Sequence, residues 1–178
     1  MTTAERRLLS GWGRTAATAA DVAEPTHPDG VREALVSANG RGVVPRGLGR
    51  AYGDAAQNAG GRVIDTTAMT RFLDIDVERG VARVEAGVSL DALLSAMLPF
   101  GWFLPVTPGT AFVTVGGAIA SDVHGKNHHR DGSFCEHVAS LVLLTPAGSA
   151  SAGAWSPRIN TERPRRLPRA RQSIHATE

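Results

Sequence analysis

One cysteine, one tyrosine, few aromatic residues and no long apolar run mark this chain of 178 residues, and each absence removes a class of protein. The lone thiol, Cys135, cannot close an internal disulfide or build a thiolate metal site, so it reads as a packed thiol. No stretch approaches the roughly 18 consecutive apolar residues of a membrane-spanning helix. The opening MTTAERRLLSGWGR is basic but has neither the apolar core nor the small-residue cleavage site of a secretory signal, so nothing in it marks the chain for export. The expected location is the cytoplasm, or the cell envelope in association with a partner. There is no G-x-S-x-G, no P-loop lysine-serine pair and no paired-carboxylate motif, which leaves hydrolase and kinase chemistry without support. What remains, at 42% hydrophobic and 20% charged residues, is a soluble globular chain of one or two small domains.

The formal net charge of +2 is unevenly placed. Residues 149–178 hold six arginines against two acids, so the preceding body is slightly acidic and only the tail is basic. A nucleic-acid partner is not expected from such a body.

Along the chain, Val31, Ala34, Leu35 and Ala38 recur at helical spacing between Pro28 and Asn39, with Gly40 as the expected C-terminal cap. Gly42 to Pro45 reads as a short strand entering the loop RGLGRAYGD, and Val63 to Asp65 as the next strand. Leu73, Ile75 and Val77 alternate with Asp74 and Asp76, and after a turn at Gly80, Ala82, Val84 and Ala86 alternate with Arg83 and Glu85, predicting a hairpin. Ser89 caps a helix carrying Leu90, Leu93, Leu94, Met97 and Leu98, closed by Pro99 and Gly101. Trp102 to Val106 and His137 to Thr145 read as further extended segments. The mixture is α+β. Residues 1–148 form the folded part, and residues 149–178, rich in Pro and Arg and without apolar period, read as disordered. That reading leaves the strand ending at Thr145 with an unpaired edge.

Two glycine-rich segments carry the chemistry. In GTAFVTVGGAIASDVHGKNHH (109–129), a β-branched run meets Gly116-Gly117 and then a short helix, an arrangement expected to turn free N–H groups and the positive end of the helix dipole toward an anion. In the 46–54 loop, Gly47, Gly49 and Gly53 do not complete a G-x-G-x-x-G fingerprint, because Tyr52 occupies the third position and no long helix follows. The interleaving of Arg46, Arg50, Tyr52 and Asp54 with glycines fits an anion-binding nest of backbone N–H groups instead. His124, His128 and His129 invite a metal reading, but no carboxylate or cysteine stands at ligand spacing and Lys126 opposes a cation; no metal is expected.

Taken in order, RGLGRAYGDAAQN (46–58), VEAGVSLDALL (84–94) and LPVTPGTAFVTVGGAIASDVHGKNHH (104–129) resemble the FAD-binding, PCMH-type domain of the vanillyl-alcohol-oxidase-like flavoproteins, a domain of two α/β subdomains. The similarity runs from about Leu9 to about Thr145 and is most specific in HGKNHH and in GWGRT (11–15). Within that superfamily it points to the branch that oxidises a lipid-linked ribose phosphate in the synthesis of cell-wall arabinan precursors, ahead of the sugar and aldonolactone oxidases. The resemblance implies that Pro45, Arg46, Gly47, Leu48, Gly49, Arg50, Ala51, Tyr52, Gly53, Asp54 and Ala55 wrap the FAD diphosphate and ribityl chain. Gly109, Thr114, Val115, Gly116 and Gly117 would continue the cradle, and Ser121, Asp122, Val123, His124 and His129 would lie along the flavin. Tyr52, His124 and Lys126 would face the substrate, with Lys126 near its polar head. Several members bind flavin covalently through a histidine at the place of Tyr52, so the FAD here is expected to be non-covalent. The reaction implied is transfer of a hydride from C2′ of the sugar to the flavin, with the keto product passed to a partner keto-reductase. No catalytic base is assigned.

The family pattern continues past this point into the rest of the flavin domain and a substrate domain. The tail does not resemble that continuation, and its Arg, Pro, Ala and Ser bias suits an out-of-frame reading of GC-rich coding sequence. A truncated or frameshifted product, inactive alone, is the expectation.

Overall fold

The computed structural model of the chain describes residues 4–145, 148–152 and 173–177. Its first sheet holds Glu5–Leu9 (β1), Thr18–Ala23 (β2), Val43–Arg46 (β3) and Arg62–Asp65 (β4) in the order β1-β2-β4-β3. β1 and β2 are antiparallel, while β2 and β3 each run parallel to the central β4. Neither β1 nor β2 is expected from the sequence. β1 is largely exposed, and the buried face of β2 is made mostly of alanine, a weak strand former that here packs Ala20, Val22 and Ala23 inside.

Pro28–Val36 (α1) connects β2 to β3, starting with Pro28 in its first turn and the His27 ring accepting the Gly30 N–H. It stops short of the cap expected at Gly40. The Ser37 N–H closes the helix on the Glu33 carbonyl, and Asn39 then turns the chain by accepting from the Arg41 N–H and donating to the Gly60 carbonyl.

The second sheet holds Phe72–Asp76 (β5), Val81–Glu85 (β6), Val138–Thr145 (β7), Gly148–Ala152 (β8) and Ser173–Thr177 (β9), in the order β5-β6-β9-β7-β8. The hairpin β5–β6 forms as expected, but a register shift between Phe72 and Asp74 resets the alternation. Phe72 and Ile75 therefore pack on the core, and Leu73 and Val77 face outward.

The reading of 149–178 as disordered is corrected for nine of its residues, 149–152 and 173–177. Gly148–Ala152 pairs antiparallel with β7, and Ser173–Thr177 lies parallel between β6 and β7. β7 thus has neighbours on both sides. The physical reason is that a strand joining two open ladders is recruited through its main-chain N–H and C=O groups, a demand that composition and apolar period do not register. Residues 153–172 lie outside the described residues.

Leu90–Met97 (α2) begins as expected, with Ser89 Oγ accepting the Ala92 N–H, and Gly101 takes φ 79° to leave the 3-10 turn Leu98–Phe100. Its Leu90, Leu93 and Met97 enter the main core beside Val84, Val88, Leu104, Val106, Val115 and Phe134. Each such burial stabilises the fold by about 1.5–3 kcal/mol. The segment Trp102 to Val106 is not a strand. It is irregular chain that buries Leu104 and Val106, anchored where the Trp102 indole N–H donates to the Val77 carbonyl at 2.7 Å. Val115–Ala120 (α3) and His128–Asp131 (α4) complete the helices, and a 3-10 turn over Phe134–His137 precedes β7.

Candidate cofactor site

The loop after β3 is held from behind by the N-terminal Gly-Trp-Gly segment. The Trp12 N–H donates to the Ala51 carbonyl at 2.8 Å, and a Cβ on Gly11 would stand 2.2 Å from the Gly53 carbonyl oxygen. A Cβ on Gly13 would meet the Tyr52 carbonyl oxygen at the same 2.2 Å. Only glycine allows two backbones this close. Arg46 donates to the Ala56 carbonyl at 2.9 Å and the Ser10 carbonyl at 2.8 Å, closing the loop on the chain entry. Arg50 donates to the Phe112 carbonyl at 3.0 Å, and its guanidinium carbon lies 4.3 Å from the centroid of a Trp12 ring. The two arginines shape the loop through carbonyls and an indole. The loop's own amides are open: among the described residues, no N–H from Gly47 to Ala55 has an acceptor. Such a row of open N–H groups is a nest for a polyanion.

The second wall meets the first at Gly47, where a Cβ would stand 2.2 Å from Thr114 Oγ1. Thr114 is buried and caps α3 by accepting the Gly117 N–H at 3.1 Å. The expected set of free N–H groups at this helix start is not present. Val115 and Gly116 donate to the Val88 and Ala86 carbonyls at 2.8 Å, and Ala118 donates to Thr114. The helix replaces its orphan donors' solvent with carbonyls of the neighbouring 86–88 turn, so the anion-binding expectation moves to the 47–55 loop. Gly116 is a packing glycine against Ala86, with 2.9 Å to a built Cβ. Gly117 is exposed but a Cβ on it would stand 3.0 Å from Thr114 Oγ1, whereas a Cβ on Gly109 or Gly53 would meet nothing within 4 Å, so these two present bare backbone outward.

The HGKNHH turn is fixed by Asn127 and Gly125 within it and by Asp122 just before it. Asn127 donates to the Pro105 carbonyl at 2.8 Å and to Asp131 at 2.7 Å, and a Cβ on Gly125 would meet the Thr107 carbonyl. Asp122 takes φ 40° and is held there by accepting from Ser133 Oγ at 2.9 Å and the Cys135 N–H at 3.0 Å. His124 forms an isolated bridge with Ser133. Hydrogen bonding keeps both carboxyls below their ordinary range: the Cys135 N–H and Ser133 act on Asp122, the Asn127 amide and Arg130 on Asp131. Burial and then Asp122 push the Cys135 thiol up to about 11, and its Sγ donates to the Ile119 carbonyl. It is a packed thiol, as read.

His124 meets His128 edge-on with centroids 5.3 Å apart, and His128 lies 3.9 Å from His129. The rings contact one another, and no metal-ligating group of three or more His, Cys, Asp or Glu occurs among the described residues. Lys126 is exposed and has no ion pair among those residues. Tyr52 is 77% exposed on the first loop, and no hydrogen bond or ring contact joins it to His124 or Lys126 among the described residues. The fold therefore joins the two glycine walls directly at Gly47 and Thr114, and leaves Tyr52, His124 and Lys126 exposed. Trp12, Phe112 and Asn127 are tied to these two segments by the contacts above. The signal for the first was available: a tryptophan between two glycines is a place where another backbone approaches.

Among the described residues no helix is long and apolar enough to cross a membrane. Residues 19–151 match the model of a family described as "FAD binding domain". The chain is 54% identical over 149 residues to decaprenylphosphoryl-beta-D-ribose oxidase of Mycolicibacterium smegmatis, covering 82% of this chain and 32% of that one. It is 29% identical to a D-lactate dehydrogenase of Anaerostipes hadrus, covering 70% of this chain and 23% of the other. Among solved structures, alkyldihydroxyacetonephosphate synthase superposes with a TM-score of 0.62 at 20% identity, over 76% of this chain and 26% of that one, a likeness of fold. The chain thus spans about a third or less of the relatives it matches. With both glycine walls inside the matched region, the chain belongs to the FAD binding domain family.

Proposed function

We propose that this chain carries the first part of the flavin cradle of an oxidase acting on decaprenylphosphoryl-β-D-ribose, converting the C2′ hydroxyl to a ketone. The observation that carries the substrate is the 54% identity over 82% of the chain to the mycobacterial oxidase. The fit to FAD rests on geometry: the open amides of Gly47 to Ala55 suit a diphosphate, and the bare backbone at Gly53 and Gly109 admits a flat or chain-like ligand at contact distance.

FAD supplies the hydride acceptor in such an enzyme, and the protein supplies position and electrostatics. Here the 47–55 amides hold the diphosphate, and Arg46 and the Trp12 segment keep that loop in shape. Tyr52 offers no imidazole for a covalent link, so the cofactor is held non-covalently. Lys126 places a cation for the phosphate of the lipid-linked substrate, and His124, two residues away, faces the sugar. Ser121, Asp122, Val123 and His129 border the ring system. Oxidation of a secondary alcohol leaves a ketone, and a partner keto-reductase consumes it when the overall outcome is epimerisation. That pairing sets the location at the cytoplasmic or envelope face where a polyprenyl substrate is accessible.

Two measurements test this. The purified chain is expected to carry a flavin absorption band that denaturation releases into the filtrate; a protein that neither retains nor takes up FAD overturns the cofactor reading. A protein spanning the full length of the relatives is expected to oxidise decaprenylphosphoryl ribose in preference to free sugars and aldonolactones. The reverse preference would reassign it to the superfamily's sugar oxidases.

A further inference from the structure

We infer that Arg50 is a positioning residue that latches three separate segments, the Trp12 entry, the 47–55 loop and the 109–114 segment, and thereby sets the curvature of the open amide row. The inference rests on the cofactor reading above. Arg50 uses its edge and its face at once. Its Nε donates to the Phe112 carbonyl at 3.0 Å, and its guanidinium lies over the Trp12 ring at 4.3 Å. Both partners are themselves aimed. The Trp12 N–H is tied to the Ala51 carbonyl, one residue past Arg50, and the Phe112 N–H is tied to Thr110 Oγ1 at 3.1 Å. The latch joins Arg50, three residues past Gly47, to Phe112, two residues before Thr114, so the two walls are fixed at two points rather than one. Among the described residues Arg50 has no carboxylate partner, so its positive charge stays uncompensated beside the amides. A planar guanidinium can stack and donate in one geometry; a lysine ammonium cannot.

The test uses the full chain with Arg50→Lys, Trp12→Phe and Trp12→Ala, read by hydrogen exchange without cofactor and by FAD titration. Arg50→Lys is expected to speed exchange of the Trp12 amide by about tenfold, the scale of losing an exposed cation–π contact and part of one hydrogen bond from a charged donor. The same variant should weaken FAD binding by a similar factor. Trp12→Phe, which keeps an aromatic face, should stay near the parent, and Trp12→Ala should match Arg50→Lys without adding to it in the double variant. Unchanged Trp12 exchange in Arg50→Lys, or fully additive effects in the double variant, overturns the latch. Faster exchange together with no FAD binding by the parent chain leaves the latch standing and sinks the cofactor reading instead.

Discussion

Gly47 and Thr114, 67 positions apart in the chain, touch so closely that a single methyl on the glycine would stand 2.2 Å from the threonine hydroxyl oxygen. The hydroxyl cannot step aside, because it is buried and caps α3. Gly47→Ala is therefore expected to destabilise the chain by about 1–3 kcal/mol, the scale of overpacking a filled site. Thr114→Ala loses the cap and costs about 1 kcal/mol. The double variant should be more stable than the sum of the two predicts, since the second change removes the atoms the first one meets. Thermal or urea unfolding of the four proteins measures this; strict additivity would mean the two walls do not touch in solution.

The glycines of the site divide by what surrounds them. Gly11→Ala drives a methyl against the Gly53 and Ala51 carbonyl oxygens and should unfold the loop or prevent expression. Gly109→Ala meets nothing within 4 Å and should leave the melting temperature of the cofactor-free chain unchanged. If the ligand lies on that bare backbone, the same variant weakens FAD binding by at least about tenfold, the cost of roughly 1.4 kcal/mol of lost contact. Equal FAD affinity in Gly109→Ala would remove Gly109 from the cradle.

Acid should open the HGKNHH turn before the rest of the fold. Asp122 and Asp131 titrate below their ordinary range in the folded chain, so the folded state binds fewer protons than the unfolded one near those values. Their contribution is complete above about pH 4 and is lost as pH falls below it. Hydrogen exchange of the amides from His124 to Asp131, followed downward from pH 6, should accelerate relative to the α2 amides. Asp131→Asn and Asp122→Asn should flatten that difference.

Cys135 gives the opposite sign. Its thiol is pushed up to about 11, so the folded state favours the neutral form, and this stabilisation is present below the usual thiol range and fades as pH rises toward 11. Thiol reagents at pH 8 should label the native chain far more slowly than the unfolded chain. Asp122→Asn should speed that labelling, because it removes the neighbouring negative charge.

Lys126 is the only lysine in the chain. Amine-directed acetylation therefore reports on one side chain and the N-terminus. Its exposure predicts rapid modification, and inorganic phosphate or a polyprenyl phosphate should slow modification at Lys126 while leaving the N-terminus unaffected. Equal protection at both sites would deny Lys126 an anion-specific role.

Much of this was readable from residue order alone, for a physical reason. Ser89 and Gly101 mark the ends of α2 and its following turn because capping is local chemistry, and the β5–β6 alternation shows in adjacent residues. The two glycine walls were legible as a pair from their motifs. The division of labour within them was not. That Gly116 faces Ala86 while Gly117 faces outward, or that the α3 amides are taken by Ala86 and Val88, depends on a turn about 30 residues away that no local pattern encodes. The phase of β5 failed for a similar reason, since a bulge is set by its partner strand. Strands built from alanine, as in β2, or recruited by main-chain groups, as in β9, carry little apolar signal to read.

The place of β9 has a kinetic meaning. The hairpins β5–β6 and β7–β8 are made of neighbours in sequence and can each form early, whereas the strand between them must be brought in from about 90 residues beyond β6 and pair in parallel with both, a non-local step of the slow kind. The second sheet should therefore assemble from its flanks inward, with two half-sheets waiting on a central wedge. During that wait their facing edges present unpaired main-chain groups to any other strand.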